Sequence, residues 1–246
     1  MSFDGKTVLV TGGTRGIGKA IALRFAELGA ARVAVSYLRN DSAADETAEE
    51  LRALGTEPRT LRGNLGHPEK AQAVVEAAGP LDVLVSNAAT GVIRPLMELT
   101  EKHWDWTLNA NARALLTLVR HAAPTMPRGS AVIAISSMGG DRVLDNYSLV
   151  GTSKAALESL VRYMAVELAP EDIRVNAVSA GLVETGALEF FPDREEMISR
   201  FRERTPAGRL VEPRDVADVA CFLASPEAAM IRGQAVVVDG GYSVVA

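Results

Sequence analysis

Residues 7–18 contain the sequence feature that most limits what this chain can fold into. Residues 7–10 form a short apolar, β-branched run, which is typical of a buried strand. The sequence TGGTRGIG follows at residues 11–18, and an amphipathic pattern continues to about Leu28 and stops at Gly29. A strand, a glycine turn and a helix in this order present backbone N–H groups and a helix N-terminus to a pyrophosphate. The start of the chain therefore predicts a dinucleotide-binding βα unit.

The glycines of this turn stand where a side chain would block the phosphates or the close packing of the helix. Gly12, Gly16 and Gly18 have a spacing that differs from GxGxxG, the commonest dinucleotide fingerprint. A glycine cluster alone is a weak signal, because many such clusters are only turns. The strand before it and the helix after it favour the binding interpretation.

Apolar runs alternate with helical patterns along the rest of the chain. Further strands are predicted at 32–36, 59–62, 81–86, 131–137, 173–179 and 235–239, and further helices at about 42–54, 68–78, 100–123, 147–168 and 213–224. Strands that alternate with helices predict a doubly wound parallel sheet with helices on both faces. No repeat or linker divides the chain, so residues 1–246 are expected to form one α/β domain.

The residues after the second predicted strand indicate which dinucleotide would bind. An acidic residue near the end of this strand accepts the ribose 2′-hydroxyl in NAD-binding units. Here no carboxylate occurs before Asp41, whereas Arg15 in the glycine turn and Arg39 could clamp a 2′-phosphate. The sequence therefore predicts NADPH in preference to NADH. The alternative is that both arginines are solvated surface charges.

Composition excludes several other classes of protein. A net charge of −5 argues against nucleic-acid binding, which usually needs a basic stripe. With Cys221 as the one cysteine and three scattered histidines, neither an internal disulfide nor a metal site is expected. The start of the chain lacks the pattern of a signal peptide, and no apolar run approaches the length of a membrane span. These observations predict a cytoplasmic protein without a membrane partner.

A tyrosine and a lysine near the head of the 147–168 helix form the candidate catalytic pair. Tyr147 and Lys154 are seven residues apart, so they fall on one helix face about 10 Å apart along the axis. An ammonium beside a phenol stabilises the phenolate and lowers the tyrosine pKa, which suits proton donation. The alternative is an ordinary buried tyrosine and a surface lysine.

Other polar residues lie where strands end or helices are buried. Asn87 follows the fourth strand, at the sheet edge where open α/β proteins bind ligands, and Asn64 could meet the adenine end. Asn111 lies on an otherwise apolar helix, where a structural hydrogen bond and a water relay are both possible roles. Residues 184–206 form an irregular segment with apolar side chains, including Phe190, Phe191 and Phe201. This segment is predicted to be a substrate lid or, alternatively, a surface helix packed on the body.

Taken together, these motifs resemble the short-chain dehydrogenase/reductase family. The resemblance is carried by TGGTRGIG, by NAA after the fourth strand, by Asn111 and Ser137, and by GRLVEPRDVADVACFLAS and GQAVVVDGG near the end of the chain. It spans essentially the whole chain and implies a seven-stranded Rossmann fold, a nicotinamide cofactor and a homotetramer. The resemblance assigns cofactor contacts to Thr11, Gly12, Gly16, Ile17, Gly18, Asn64, Asn87, Val183 and Thr185. Further cofactor contacts are expected in or beside the same segments and the motifs above, at Thr14, Arg15, Arg39, Leu65, Ala88, Ala89, Lys154 and Gly181. The resemblance places Asn111 at the position of the family's catalytic-relay asparagine, and Tyr147, Lys154 and Ser137 complete the expected catalytic set.

The chain departs from the family pattern at the tyrosine. Most members carry it four residues before the lysine, but position 150 is Val and the tyrosine stands at Tyr147. This spacing, with NAAT, TPAGRL and MIRGQAVVVDGG, is similar to the NADPH-dependent enoyl-acyl-carrier-protein reductase III type. A shift of three residues moves the acid about 4.5 Å along the helix. In enoyl reduction negative charge develops on the thioester oxygen rather than beside the carbon that accepts hydride, so a shifted acid suits that reaction.

Three functions remain open at this point. The first is reduction of an enoyl thioester, with acyl carrier protein as the expected carrier of the substrate. The second is a ketoreductase that acts on a 3-oxoacyl thioester or a polyketide carbonyl, which Ser137 favours because it keeps the family spacing to position 150. The third is a non-catalytic NADPH-binding scaffold in which Tyr147 only packs.

Overall fold

The computed structural model describes residues 1–184, 186 and 194–245, and these residues form one seven-stranded sheet flanked by helices. The strands are β1 (Thr7–Val10), β2 (Arg32–Tyr37), β3 (Glu57–Arg62), β4 (Val83–Ser86), β5 (Ala131–Ser137), β6 (Arg174–Ala180) and β7 (Ala235–Val238). The helices are α1 (Gly16–Glu27), α2 (Asp41–Ala53), α3 (Pro68–Ala78), α4 (Glu101–Leu108), α5 (Ala114–Ala122), α6 (Ser148–Glu167), α7 (Arg194–Arg204) and α8 (Pro213–Ala224). Each adjacent pair of strands is parallel.

The strand order creates a crevice at the centre of the sheet. The strands lie in the order β3-β2-β1-β4-β5-β6-β7, so the chain turns back between β1 and β4. Ligands of open parallel sheets bind outside the carboxyl ends of the strands at such a reversal. The glycine turn follows β1 and Asn87 follows β4, so both stand at this crevice.

Helices on both faces of the sheet bury its apolar side chains. Ile21 of α1 and Leu223 of α8 are fully buried in the core on one face, and Leu115 of α5 and Leu157 of α6 are fully buried on the other. Each such side chain contributes about 1.5–3 kcal/mol through burial. Two apolar layers therefore hold the strand ends in fixed positions, and the predicted doubly wound seven-stranded parallel fold is confirmed.

Some predicted boundaries were wrong for identifiable reasons. β3 begins at Glu57, two residues before the predicted start, because it is an edge strand with a largely polar sequence. The predicted 100–123 helix is interrupted by a π-helical turn at Asn109–Arg113, which separates α4 from α5. A π-turn inserts one residue into a helix and is not visible in a hydrophobic pattern.

The prediction that residues 184–205 are irregular was wrong for residues 194–204, which form α7. Phe201 of this helix is buried, and its ring stacks on Tyr242 with centroids 4.4 Å apart. Phe190, Phe191 and Thr185 lie outside the described residues. The lid function of the segment remains a prediction, and α7 gives that segment a helix packed against the C-terminal residues.

Candidate active site

The glycine turn after β1 is shaped by contacts that exclude side chains. Gly12 and Gly16 have positive φ values of 63° and 52°, a region that favours glycine. A Cβ on Gly18 would overlap the carbonyl oxygen of Gly12. A Cβ on Gly12 itself would lie 3.0 Å from the Cα of Ala88. The turn is therefore pressed against the helix and against the end of β4, as a backbone cradle for phosphate requires.

Asn87 joins the ends of the two central strands. Its backbone N–H donates to the hydroxyl oxygen of Thr11 at 2.9 Å, and its Nδ2 donates to the Thr11 carbonyl at 2.9 Å and the Gly12 carbonyl at 3.2 Å. The N–H of Ala88 also donates to the Thr11 hydroxyl, at 3.0 Å. Hydrogen bonds within the protein, made by Asn87 and Thr11, thus fix the glycine turn to the end of β4. These hydrogen bonds were not visible in the sequence, where both residues appeared only as cofactor contacts.

The first turn of α1 lacks a side-chain cap. Its N-cap residue is Arg15, which makes no capping hydrogen bond, so the first amides of α1 receive no side-chain oxygen. Uncapped first-turn N–H groups and the helix dipole favour an anion at this point. The glycine cradle and this helix end together fit a dinucleotide pyrophosphate.

The two arginines that were predicted to bind a 2′-phosphate are exposed near this end of the sheet. Neither Arg15 nor Arg39 forms an ion pair within the described part of the chain. The nearest carboxylate in sequence, Asp41, accepts a hydrogen bond from the Tyr37 hydroxyl at 2.9 Å and lies 3.6 Å from Arg62. Asp41 is therefore already engaged, and both guanidinium groups remain available to an anionic ligand.

The other predicted cofactor contacts are spread over four places in the fold. Buried Thr14 and half-buried Ile17 belong to the glycine turn and the start of α1. Asn64, which is exposed, and Leu65, which is buried, follow β3; half-buried Ala88 and exposed Ala89 follow β4; Gly181 and Val183 follow β6. All of these segments follow carboxyl ends of parallel strands. Thr185 lies outside the described residues. The roles of these residues in binding stay predictions.

Tyr147 is held at the N-cap of α6 beside the end of β5. Its hydroxyl lies 3.5 Å from the Ser137 hydroxyl, and its ring lies over Gly139. A Cβ on Gly139 would come within 2.5 Å of the ring, so glycine is required for this position of the tyrosine. Burial raises the pKa of Tyr147 above its ordinary value, and the hydrogen bond with Ser137 acts in the opposite direction. The net direction is opposite to the lowering that was expected from Lys154, because burial outweighs it, and the phenol is protonated at neutral pH.

Lys154 is buried between α6 and the sheet. Its Nζ donates to the carbonyl oxygen of Ile135 in β5 at 2.8 Å. Burial lowers the pKa of Lys154 to about 8, and the negative charge of Glu158 partly opposes that shift. The lysine predicted to be catalytic is thus inside the fold. Its acceptor, Ile135, directly precedes Ser136 and Ser137 on β5.

This burial predicts a pH-dependent stability. The pKa of Lys154 is lower in the folded chain than in the unfolded chain, so between about pH 8 and 10.5 the unfolded chain binds more protons and stability rises with pH. We expect wild type to gain about 2 kcal/mol of unfolding free energy between pH 8 and 10, relative to Lys154→Met. Urea unfolding at each pH measures this difference. The exposed Lys102→Met variant should parallel wild type, and identical pH curves for wild type and Lys154→Met would contradict the prediction.

Val150 occupies the position at which most relatives were expected to carry tyrosine. It is buried, and its Cγ2 methyl group lies so close to Gly91 that a Cβ there would overlap it. The space beside position 150 is therefore filled by the valine itself. Gly91 and Gly139 were not recognised in the sequence, because their role depends on contacts with residues far along the chain.

Asn111 lies in the π-turn between α4 and α5 and is buried. Its Oδ1 accepts from the N–H of Thr90 at 2.9 Å, and its Nδ2 donates to the Thr90 carbonyl at 2.9 Å and to the Ser153 hydroxyl at 2.8 Å. The side chain therefore ties the segment after β4 to α6, which is a structural role. A catalytic relay through Asn111 stays a prediction.

A cleft of about 530 Å³ opens beside Tyr147. Its walls include Gly139 and Gly140 after β5, the apolar side chains of Leu96, Val143 and Leu144, and the start of α6. The Tyr147 side chain is thus one wall of an open cleft whose lining combines apolar side chains with the charged side chains of Asp141, Arg142 and Asp145.

Two further findings concern other kinds of site. Within the described residues, no group of three or more His, Cys, Asp or Glu side chains is arranged to hold a metal ion. Over the same residues, no helix combines the length and the apolar character needed to cross a membrane.

Known proteins are similar to this chain over nearly its whole length. The family model described as "Enoyl-(Acyl carrier protein) reductase" matches residues 12–243. A 1-cyclohexenylcarbonyl-CoA reductase from Streptomyces collinus is 38% identical over 244 residues, which cover 97% of this chain and 87% of that protein. The hydroxynaphthalene reductase-like protein Arp2 of Metarhizium robertsii is 34% identical over 256 residues, covering 98% and 96%. The crystal structure of a short chain dehydrogenase from Burkholderia cenocepacia J2315 in complex with NADP has a TM-score of 0.91 and 33% identity, covering 99% of this chain and 100% of that chain.

The glycine cradle at the sheet reversal, with a tyrosine and a lysine on one helix beside it, defines a dinucleotide-binding oxidoreductase of the Rossmann type. The family model and the relatives extend over nearly the whole chain. The chain belongs to the short-chain dehydrogenase/reductase family.

Proposed function

We propose that this protein reduces the 2,3 double bond of an enoyl thioester with NADPH. The observation that carries the proposal is the placement of the acid. The Tyr147 hydroxyl lies 3.5 Å from the Ser137 hydroxyl at the end of β5 and the Tyr147 side chain lines the cleft, whereas Val150 packs against Gly91. The description of the matching family model and the name of the Streptomyces relative support the same reaction class.

Each site residue has a role in this reaction. A bound nicotinamide cofactor supplies the hydride, which adds to the β-carbon of the enoyl thioester. The Tyr147 hydroxyl donates a hydrogen bond to the thioester oxygen, where negative charge develops, and stabilises the enolate. The α-carbon then takes up a proton. Lys154 holds the ribose hydroxyls of the cofactor and keeps the site positive, and Ser137 orients the Tyr147 hydroxyl.

The preference for NADPH rests on Arg15 and Arg39. Both guanidinium groups are exposed near the uncapped start of α1, and Asp41 is engaged with Tyr37. Arginine recognises phosphate through paired charge-assisted hydrogen bonds. The similar Burkholderia structure, which was solved with NADP, supports this choice of cofactor.

The substrate carrier and the assembly complete the proposal. We expect the acyl chain to be carried by acyl carrier protein, and residues 184–206 to act as the lid over it. A cytoplasmic homotetramer is also expected from the family resemblance, and three large apolar side chains offer surface for contacts between copies, namely Tyr163 and Val166 on α6 and Met230 before β7, exposed by 67%, 74% and 94%. Sedimentation velocity measures the assembly, and a monomer at micromolar concentration would contradict it.

A ketoreductase is the second candidate function. The hydroxyls of Ser137 and Tyr147, 3.5 Å apart, could both contact a carbonyl oxygen, and this contact favours the alternative. In that reaction hydride adds to the carbon that bears the oxygen, so the substrate carbonyl would have to approach Tyr147 directly. The two functions differ in the substrate group that is reduced, so the choice between an enoyl and a 3-oxoacyl thioester distinguishes them.

The test is NADPH oxidation by the purified protein, followed at 340 nm. Crotonyl-CoA and acetoacetyl-CoA are supplied in separate reactions, and the same pair is repeated with NADH. Turnover of crotonyl-CoA alone supports the proposed function. Turnover of acetoacetyl-CoA alone would replace it by the ketoreductase, and NADPH binding without any turnover would favour the scaffold.

A further inference from the structure

A pair of polar side chains below the candidate site has no role in the proposed reaction. Ser136 of β5 donates its hydroxyl hydrogen to Glu158 of α6, with 2.5 Å between Oγ and Oε1. Ser136 follows Ile135, whose carbonyl accepts from Lys154. Lys154 and Glu158 are one helical turn apart, so two neighbouring strand residues anchor two neighbouring side chains of one helix face.

The surrounding backbone holds Glu158 in this arrangement. A Cβ on Gly140 would lie 3.2 Å from Glu158 Oε1 and 3.3 Å from the backbone carbon of Lys154, so the segment after β5 closes over both residues. Glu158 is half-buried, whereas Lys154 is buried. A carboxylate fixed in this position acts on an ammonium that the fold has removed from water.

The other charged groups around Lys154 are engaged elsewhere or exposed. In the segment after β5, Asp141 and Arg142 pair with each other at 3.4 Å at the surface. Arg113 of the π-turn donates to the Gly66 carbonyl, and Arg174 of β6 donates to the Ala224 carbonyl. The remaining ionisable groups on these elements are Tyr147 at the start of α6, exposed Arg162, Tyr163 and Glu167 further along α6, exposed Glu101, Lys102 and Asp105 on α4, and His103, which belongs to the N-cap of α4.

From this arrangement we propose that Ser136 and Glu158 are a positioning pair that keeps Lys154 in its cationic form beneath the site. Ser136 holds the carboxylate, and the carboxylate supplies the charge that offsets the burial of Lys154. The opposition of Glu158 to the lowered pKa of Lys154 agrees with this geometry. The expected effect of Lys154 on turnover rests on the proposed function. The titration of Lys154 can be measured whatever reaction the protein catalyses.

The charge of Lys154 can be measured directly. In protein labelled with ¹³C at the lysine ε-carbon, the resonance that disappears in Lys154→Met belongs to Lys154, and its shift reports protonation as pH is varied. Wild type should titrate near pH 8. Glu158→Gln retains an oxygen that can accept from Ser136 but removes the charge, and we expect the midpoint to fall by about one unit. Ser136→Ala should lower it by a smaller amount.

Two controls separate charge from folding. Glu167→Gln removes a carboxylate from the exposed end of the same helix and should shift the midpoint by less than about 0.2 units. Glu158→Asp keeps the charge and should titrate closer to wild type than Glu158→Gln does. If Glu158→Gln is folded by circular dichroism and titrates within about 0.2 units of wild type, the proposal is overturned.

Turnover provides an independent readout. The alkaline limb of kcat/KM for crotonyl-CoA should move to lower pH in Glu158→Gln and stay in place in Glu167→Gln. A protein that reduces no thioester overturns the proposed function, while the ¹³C titration still decides whether Glu158 sets the charge of Lys154. A shifted ¹³C midpoint therefore supports the pair even if the proposed substrate is wrong.

Discussion

Replacing Tyr147 by Phe is expected to lower kcat/KM for crotonyl-CoA by about 10²–10⁴-fold, which is the usual contribution of a positioned acid. The phenylalanine ring can keep the packing over Gly139, since only the hydroxyl is lost. The missing hydrogen bond is one that stabilises the enolate oxygen, so kcat falls while the affinity for NADPH changes little. NADPH fluorescence on binding and initial rates at 340 nm measure the two quantities separately.

Tyr163→Phe is the matched control for this experiment. Tyr163 lies on the same helix and is 67% exposed, so the loss of its hydroxyl should leave the rate within about twofold of wild type. If Tyr147→Phe retains wild-type turnover, Tyr147 is not the acid and the proposed mechanism fails. Equal losses in Tyr147→Phe and Tyr163→Phe would have the same consequence.

The double variant Arg15→Ala/Arg39→Ala is expected to lose the preference for NADPH over NADH. Each charge-assisted hydrogen bond to a phosphate contributes about 1.5–3 kcal/mol, so the double variant should lose at least about 100-fold in kcat/KM for NADPH. NADH lacks the 2′-phosphate, so its kcat/KM should change by less than about threefold. The NADPH effect should shrink in high salt, because both arginines are exposed.

Arg52→Ala controls for a general loss of positive charge, because Arg52 lies in the last turn of α2, near the amino ends of the strands and away from the proposed cofactor site. Arg52 is exposed on α2 and pairs with Glu49 at 2.6 Å, so it is already neutralised. Both cofactors should be used by this variant as they are by wild type. An equal loss for NADPH and NADH in the double variant would mean that the arginines bind a part common to both cofactors, and the predicted NADPH preference would be wrong.

The fold could be predicted from the sequence because a parallel sheet is buried on both faces. Its strands appear as continuous apolar runs, as in residues 131–137, and glycine marks the turn after the first strand. Two elements that were predicted wrongly bury few apolar side chains. β3 lies at an edge and is mostly polar, and α7 is so rich in charged residues that its few buried side chains give no amphipathic pattern.

The candidate site was predictable only in part. Tyr147, Lys154 and the glycine turn are local motifs, so their residues could be selected from the sequence. The contacts that set their properties join distant segments: Gly91 with Val150, Thr90 with Asn111, and Ser136 with Glu158. The pKa of Tyr147 was misjudged for this reason, because burial by distant residues raises it and a spacing rule contains no information on burial.

The two glycines beside the candidate acid limit how such a chain can change its chemistry in evolution. Gly139 accommodates the ring of Tyr147, and Gly91 accommodates the side chain of Val150. A single exchange to tyrosine at 150 would place a ring in filled space, and a single exchange of Tyr147 to a small residue would leave a ring-sized void. Under the proposed mechanism, each exchange alone is expected to lower activity before the other can restore it. A tyrosine at position 147 and a tyrosine at position 150 are thus expected to be interchangeable only when both positions change together. Libraries that vary positions 147 and 150 at the same time would be needed to convert one arrangement into the other.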